Sequence, residues 1–534
     1  MLASIVLYSP LVLKWRHNCR REVKMCFILD RGDVPLDHWI GRCAAARSPP
    51  KLRPRRRTSC CSRPRAWATC RRWRSWPAAS TTRTGSPPPC SRLTYASSDS
   101  ATQRAFLSSL PPAISAATLP PVHLGDGDLP AGAAAIETLL SVEAERSVPA
   151  ITAFLSDLKS TTNLVAFVAD LFGAATLRAA RDAGGVPGFL FFPSNLLMLS
   201  LMLHLPRLDA DLGAGEFRDL PEPVRLPGCV PVPGADILQP LQDRASDAYR
   251  WMVRHGERYR DAPAGILVNT FDAAEPAAAA ALRSPEPWRP PVYPIGPVIR
   301  HHHPAGCIGW LDAQPEGSVL FVSFGSGGAL SLAQTRELAR GLELAGHRFL
   351  WVVRAPTNAA AAAAGESYYD GCRSKAGDPV GFLPAGFMER TKGLGHVVPS
   401  WAPQTRVLAH RAVAAMLTHC GWNSVLEAVA AGVPMVAWPL YAEQRQNAVM
   451  LCEETMVALR PRVAGGGGEG GLVLAEDVAE VVKEVMEGEK GEAARAKVRE
   501  LKEAARKGLE PGGASYETLA KVVSEWKGAG QATE

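Results

Sequence analysis

Residues 401–444 read WAPQTRVLAHRAVAAMLTHCGWNSVLEAVAAGVPMVAWPLYAEQ. Two short apolar runs, Ala415–Thr418 and Pro434–Trp438, have the composition of buried strands. Between them Ser424–Ala431 has helical spacing and is closed by Gly432 and Pro434. This order puts His419, Cys420 and Gly421 at the carboxyl end of the first strand. Trp422, Asn423 and Ser424 then open the helix. Open α/β sheets bind their ligands at that edge.

The residue types there suit a nucleoside diphosphate. A helix N-terminus offers unpaired N–H groups and the positive end of a dipole, which fits phosphate. Gly421 permits close backbone approach. Asn423 and Ser424 are capping residues that can also donate to phosphate oxygens. Glu427, one turn on, is suited to accept hydrogen bonds from ribose hydroxyls. Trp401 offers a flat face to a base, a contact of about 1–3 kcal/mol. Taken alone, His419 reads as a structural histidine and Trp401 as core. Their order and spacing together argue for a binding site.

The whole stretch resembles the signature segment of the plant secondary-product glycosyltransferases, which use UDP-sugars. That resemblance implies an α/β chain of the GT-B fold, with two Rossmann-like domains facing across a cleft. It implies that Trp401 stacks on uracil, that Ala402 meets the base edge through its backbone, and that Gln404 sits near the nucleoside. Glu427 would bind ribose, and His419, Asn423 and Ser424 beside Gly421 would hold the diphosphate. Trp422, Glu443 and Gln444 would contact the sugar, with Tyr441 completing the donor set. A terminal Gln, as at 444, goes with glucose donors in this family, and His with galactose. Val319–Ser326 (VLFVSFGS) reads as a buried strand ending in Gly-Ser, followed by a helix over Leu332–Ala345. By the resemblance, Gly325 and Ser326 make a second phosphate contact. Leu226–Val232, Asp243–Tyr249 and Gly265–Phe271 are similar to the hydroquinone glucosyltransferase branch. The likeness runs from about Thr94 to near the C-terminus.

The implied reaction is inverting O-glucosyl transfer from UDP-glucose to small phenols, such as hydroquinone-like phenols or monolignols. It needs a base for the acceptor hydroxyl and donors for the UDP leaving group, with no metal and no cofactor beyond the donor substrate. Asp170 ends the apolar run VAFVAD. It matches the family's Asp, which orients a general-base His and stabilises its cation. That His belongs to a Pro-Gly-x-Gly-His loop, and no such run exists in this chain. His419 is committed to phosphate, and His123 (PPVHL) is a weak substitute.

Charge isolates the region where that loop belongs. Residues 1–98 hold 20 Lys and Arg against 4 Asp and Glu, a local balance of +16. The chain as a whole carries +7, so the remainder carries −9. From Trp39 to Ser98 there is no acidic residue and no 3.6 or 2.0 periodicity. Back-translating Pro64–Ser80 (PRAWATCRRWRSWPAAS) and reading two bases later permits PGMGHLPPMAELARRL. This is the missing loop followed by an amphipathic helix, so the segment reads as displaced in frame, with family-like text resuming near Leu93–Tyr95. The alternatives are a UDP-sugar-binding pseudoenzyme that has lost its base, or a basic tail that binds RNA or a membrane surface.

The domain expectation follows. Residues 1–92 are an anomalous basic segment, frameshifted or disordered. Residues 93–298 form the N-terminal acceptor domain, with strands at Leu164–Ala169, Gly188–Phe192 and Ile266–Asn269. Residues 299–315 are a linker in which His301–His303 form a solvated loop rather than a metal site. Residues 316–508 form the UDP-sugar domain, with an Ala-rich insert at Ala359–Ala364 and a flexible loop at Gly465–Gly471. Residues 509–534 form a helix that returns to the N-terminal domain. No apolar run reaches membrane-span length, and Met1–Leu13 lacks the basic start and cleavage site of a signal peptide. The 12 cysteines have no paired metal spacing. Scattered, reduced cysteines predict a cytoplasmic protein. The resemblance implies a UDP-sugar and a small phenolic acceptor as partners, with no nucleic acid and no stable membrane insertion, and the expected state is a monomer.

Overall fold

A computed structural model describes residues 3–8, 24–30, 91–95, 115–119, 122 and 136–531, except 263, 300–306, 357–377 and 464–470. His123, His301–His303, Pro64–Ser80, the Ala-rich insert and all but Gly471 of the Gly-rich loop lie outside the described residues.

Two sheets organise the chain. The first holds eight strands in the order β4-β3-β2-β1-β5-β6-β7-β8. These are β1 (Ala3–Tyr8), β2 (Lys24–Asp30), β3 (Ser91–Tyr95), β4 (Ser115–Leu119), β5 (Asn163–Asp170), β6 (Gly188–Phe192), β7 (Gly265–Val268) and β8 (Val292–Pro294). The strands β5 to β8 are parallel neighbours. The apolar runs FVAD, GFLFF and GILV are buried on both faces, as parallel strands require. β1 pairs in parallel with β5 and antiparallel with β2, so strands from the basic segment belong to this sheet. Tyr8 lies opposite Ala169, one residue before Asp170.

The second sheet has six parallel strands in the order β11-β10-β9-β12-β13-β14. They are β9 (Val319–Ser323), β10 (Arg348–Val353), β11 (Gly395–Pro399), β12 (Val413–Thr418), β13 (Met435–Ala437) and β14 (Ala458–Leu459). From β9 the chain runs outward to β10 and β11. It then crosses back to β12 and continues to β13 and β14. The switch of direction therefore falls between β9 and β12, with Ser323 opposite Thr418. Ligand crevices of doubly wound sheets open at such a point, beyond the carboxyl ends of the two strands.

The helices that matter below are α1 (Ile136–Thr161), α2 (Leu196–Leu212), α3 (Leu332–Ala345), α4 (Gln404–Leu408), α5 (Trp422–Ala431), α6 (Gln444–Val449) and α7 (Ala514–Gln531). Ser331 caps α3, its hydroxyl accepting from Gln334 N–H. Gly346 closes α3 in the left-handed region. Asn195 caps α2 in the same way as Ser331 caps α3. The last helix, α7, lays Val522 and Trp526 against Val165, Ala166, Val168, Phe189 and Leu267 on the first sheet. Trp526 meets Phe189 edge to face at 5.4 Å.

Candidate active site

The turn after β12 is built around His419. The imidazole is buried, and burial lowers its pKa to about 4, so at neutral pH it is an uncharged hydrogen-bonding ring. Two glycines clasp it. A β-carbon at Gly325 would lie 2.5 Å from His419 Cε1, and one at Gly421 would lie 2.5 Å from Nε2. Gly325 also has φ +72°, the left-handed region that favours glycine. The loops after β9 and β12 therefore meet at one side chain. Cys420, next in the chain, holds φ +62°, a conformation that L residues with a β-carbon adopt only under constraint.

Gly421 caps α5, so Trp422, Asn423 and Ser424 do open the helix. Their side chains go different ways. Asn423 is exposed beside the turn. Ser424 is buried and accepts from Gln404 Nε2 at 2.9 Å, so it serves α4 rather than capping its own helix. The Trp422 indole N–H donates to the Asn269 carbonyl on the facing domain at 2.7 Å. That hydrogen bond closes the cleft and leaves the indole N–H unavailable to a sugar.

Gln404 ties three elements together. Its Oε1 accepts from Ser323 at the end of β9, and its Nε2 also donates to Glu427 Oε2 at 2.8 Å. Burial raises the Glu427 carboxyl from 4.5 to about 7, against the opposing pull of Gln404. Trp401 and Ala402 stand immediately before α4, with Ala402 buried and Trp401 half-buried. Ser326 lies in the turn after β9, half-buried beside Gly325.

The end of the signature segment lies at the domain contact. Gln444 is buried, and its Oε1 accepts from the Leu440 and Tyr441 amides, each at 2.9 Å. Its NH₂ end is thus the group left to donate. Glu443 is half-buried, and burial raises its pKa; Ser194 of the first domain donates to it at 3.5 Å. The Tyr441 hydroxyl donates to Glu137 Oε1 on α1 at 2.5 Å, so it bridges the domains.

Asp170 is buried at the carboxyl end of β5. One of its oxygens accepts from the Phe172 and Gly173 amides, which fixes the carboxylate at the cleft edge of the first sheet. Asp170 is also a cause of the raised Tyr259 pKa, second to burial.

The sequence reading missed the residues that link the two sheets, Asn447, Asn195 and Asn269, and Glu275, which holds the start of α2 within the first domain. Asn447 donates to the Cys420 carbonyl and accepts from Asn195. Asn269 accepts from Trp422. Glu275 accepts from the Leu196 and Leu197 amides at the start of α2. Asn195 was open to reading, because Ser194-Asn195 before the apolar run LLMLSLML has the form of a helix cap. The others are contacts between distant parts of the chain, which no local pattern encodes.

Comparison with known proteins places this architecture. The profile of the UDP-glucoronosyl and UDP-glucosyl transferase family matches residues 277–495. UDP-glycosyltransferase 72B1 of Arabidopsis thaliana is 47% identical over 433 residues, covering 80% of this chain and 87% of that protein. This chain belongs to the UDP-glycosyltransferase family. Hydroquinone glucosyltransferase of Rauvolfia serpentina is 46% identical, covering 80% of the chain and 88% of the relative. Among solved structures, the Phytolacca americana UGT2 complex with UDP-2fluoro-glucose and pterostilbene has TM-score 0.72 at 45% identity, covering 81% of this chain and 91% of that one. An indoxyl-glucosylating UDP-glucosyltransferase from Polygonum tinctorium, in complex with 3,4-dichloroaniline, has TM-score 0.73 at 44% identity, with the same coverage. The fold is therefore the GT-B fold of plant UDP-glycosyltransferases, as the signature segment led one to expect. Among the described residues no helix is long and apolar enough to cross a membrane.

Proposed function

We propose that this chain is a UDP-glucose-dependent, inverting O-glucosyltransferase of small phenols, hydroquinone among them. The observation that carries the reading is the meeting of Gly325, His419 and Gly421 at the switch point of the second sheet, together with the buried Gln404–Glu427 hydrogen bond and the Gln444 side chain fixed by the Leu440 and Tyr441 amides. Neutral donors and a helix N-terminus suit a diphosphate. A buried carboxylate suits ribose, and the Gln444 amide suits a sugar hydroxyl. The acceptor hydroxyl would attack the anomeric carbon as its bond to UDP breaks. Its proton would pass to a base that Asp170 orients, and the UDP charge would be met by the donors at the turn, without a metal. The similarity to a hydroquinone glucosyltransferase supports the acceptor class. Cys229, Cys307, Cys420 and Cys452 are free thiols, in keeping with a cytosolic protein.

A second reading has one observation in its favour: the chain contains no Pro-Gly-x-Gly-His run to supply the base. In that reading the protein binds UDP-sugar and turns it over poorly. The relatives cover 80% of the chain, a share close to that of the stretch from Thr94 onward, which fits a displaced frame and a lost base alike. The test is product analysis by NMR and mass spectrometry after incubation with UDP-glucose, hydroquinone and EDTA. A β-glucoside of hydroquinone supports the transferase. An α-linked product refutes inversion, and loss of product on adding EDTA refutes metal-free catalysis. Sequencing the transcript across codons 50–95 decides between a displaced frame and a lost base.

A further inference from the structure

A chain of three hydrogen bonds crosses the cleft behind the diphosphate turn. Met198 N–H donates to Asn195 Oδ1 at 2.8 Å, Asn195 Nδ2 donates to Asn447 Oδ1 at 2.7 Å, and Asn447 Nδ2 donates to the Cys420 carbonyl at 3.0 Å. Both ends are backbone groups whose roles cannot invert, so the orientation of both side-chain amides is fixed. Asn195 and Asn447 are completely buried. The far end is anchored twice, because Glu275 accepts from the Leu196 and Leu197 amides next to Asn195.

What the near end holds is the Cys420–Gly421 peptide. Cys420 stands at φ +62°, so its backbone needs an outside constraint to stay there. This peptide is trans, and a trans peptide points its C=O and N–H to opposite sides. A carbonyl drawn toward Asn447 turns the Gly421 N–H away from it. Gly421 is the cap residue of α5, and its Cα face lies against the His419 ring.

We propose that Asn447 is a positioning residue: held by Asn195 of the facing domain, it turns the Cys420–Gly421 peptide so that the Gly421 N–H is presented to the diphosphate of the donor. This rests on the donor-site reading above. It makes diphosphate binding depend on the closed arrangement of the two domains, since the constraint on the turn originates in the cap of α2. Asn447 sits three residues after Gln444, on the same face of α6, so one short helix serves both the sugar end and the phosphate turn.

Calorimetric titration of the full-length protein with UDP and with uridine tests this. Asn195→Asp keeps an acceptor for Met198 N–H but replaces the donor to Asn447 with an oxygen. Asn447→Leu removes the link at its centre. Each variant is expected to lower UDP affinity about tenfold, as loss of a bond to a buried carbonyl does, and to leave uridine affinity within about twofold. The double variant is expected to bind UDP no more weakly than Asn447→Leu alone, because Asn195 acts through Asn447. Equal losses for UDP and uridine would mean general structural damage and would overturn the proposal, as would unchanged UDP affinity or additive losses. Should Asn447→Leu not fold, the UDP-to-uridine ratio of Asn195→Asp decides alone. A parent protein that binds uridine but gains nothing from the diphosphate would instead overturn the donor-site reading, and this proposal with it.

Discussion

Gly325 and His419 are in direct contact across two loops, with room for no atom between the glycine Cα and the imidazole. This contact requires glycine at 325 in the loop after β9. An alanine at 325 would have to push the ring aside and hold φ +72° with a β-carbon. Gly325→Ala is therefore expected to weaken UDP binding at least tenfold, about 1.4 kcal/mol or more. Calorimetry checks it, and unchanged affinity would remove His419 from the diphosphate site.

If Glu427 binds the donor's ribose as proposed, donor binding is expected to depend on pH. Its folded pKa of about 7 lies above the ordinary 4.5, so the free folded protein holds this proton more tightly than the unfolded chain does. Its contribution to stability is fully present below about 4.5 and is lost as pH rises through about 7. In the proposed ribose role, donor binding has the opposite sign, because ribose hydroxyls would donate to the ionised carboxylate. UDP-glucose has no group titrating near neutrality, and its affinity is expected to rise with pH through about 7 and to go flat in Glu427→Gln. Affinity that climbs toward acid would refute the ribose role.

The indole N–H of Trp422 is spent on Asn269 rather than on a ligand. Trp422→Phe leaves a buried carbonyl without its donor, which costs roughly 1–3 kcal/mol of stability. Urea denaturation should show that loss. Full stability would mean that the domain contact does not depend on this bond.

The C-terminal helix is part of the first sheet's core. Trp526 is 7% exposed and packs on Phe189. Trp526→Ala is expected to destabilise the protein by about 3–5 kcal/mol, as large-to-small core changes do. A loss of unfolding free energy below a fifth of that, measured by urea denaturation, would show that α7 docks only loosely.

The strand, turn and helix of residues 413–431 were legible in the sequence because their pattern is local. The residues from Trp401 to Gln444 are consecutive in the chain, and their order alone puts His419 and Gly421 at a strand's carboxyl end. The boundaries of α3 and β6 match the sequence reading residue for residue, since Ser331 and Gly346 punctuate one and Gly188 opens the other. Side-chain destinations were less legible. Trp422, Tyr441 and Ser424 have chemistry that suits a ligand, yet each makes a bond to the protein that depends on a partner 20 to 304 residues away. The relay from Asn195 to Cys420 spans 252 residues at one step, and nothing near either asparagine announces it. Nor did local pattern place Ala3–Tyr8 beside β5, because the first strand of a sheet is defined by the neighbour it pairs with.

The measurement that bears most directly on the account compares two full-length proteins: this chain, and a version with the frame restored between Pro64 and Leu93 so that PGMGHL is present. UDP affinity and the rate of glucose transfer from UDP-glucose to hydroquinone are measured for both. The account predicts equal UDP binding and transfer faster by about 10²–10⁴ in the restored protein, the usual worth of a positioned general base. Equal transfer rates would contradict the missing base, and failure of both proteins to bind UDP would contradict the donor site.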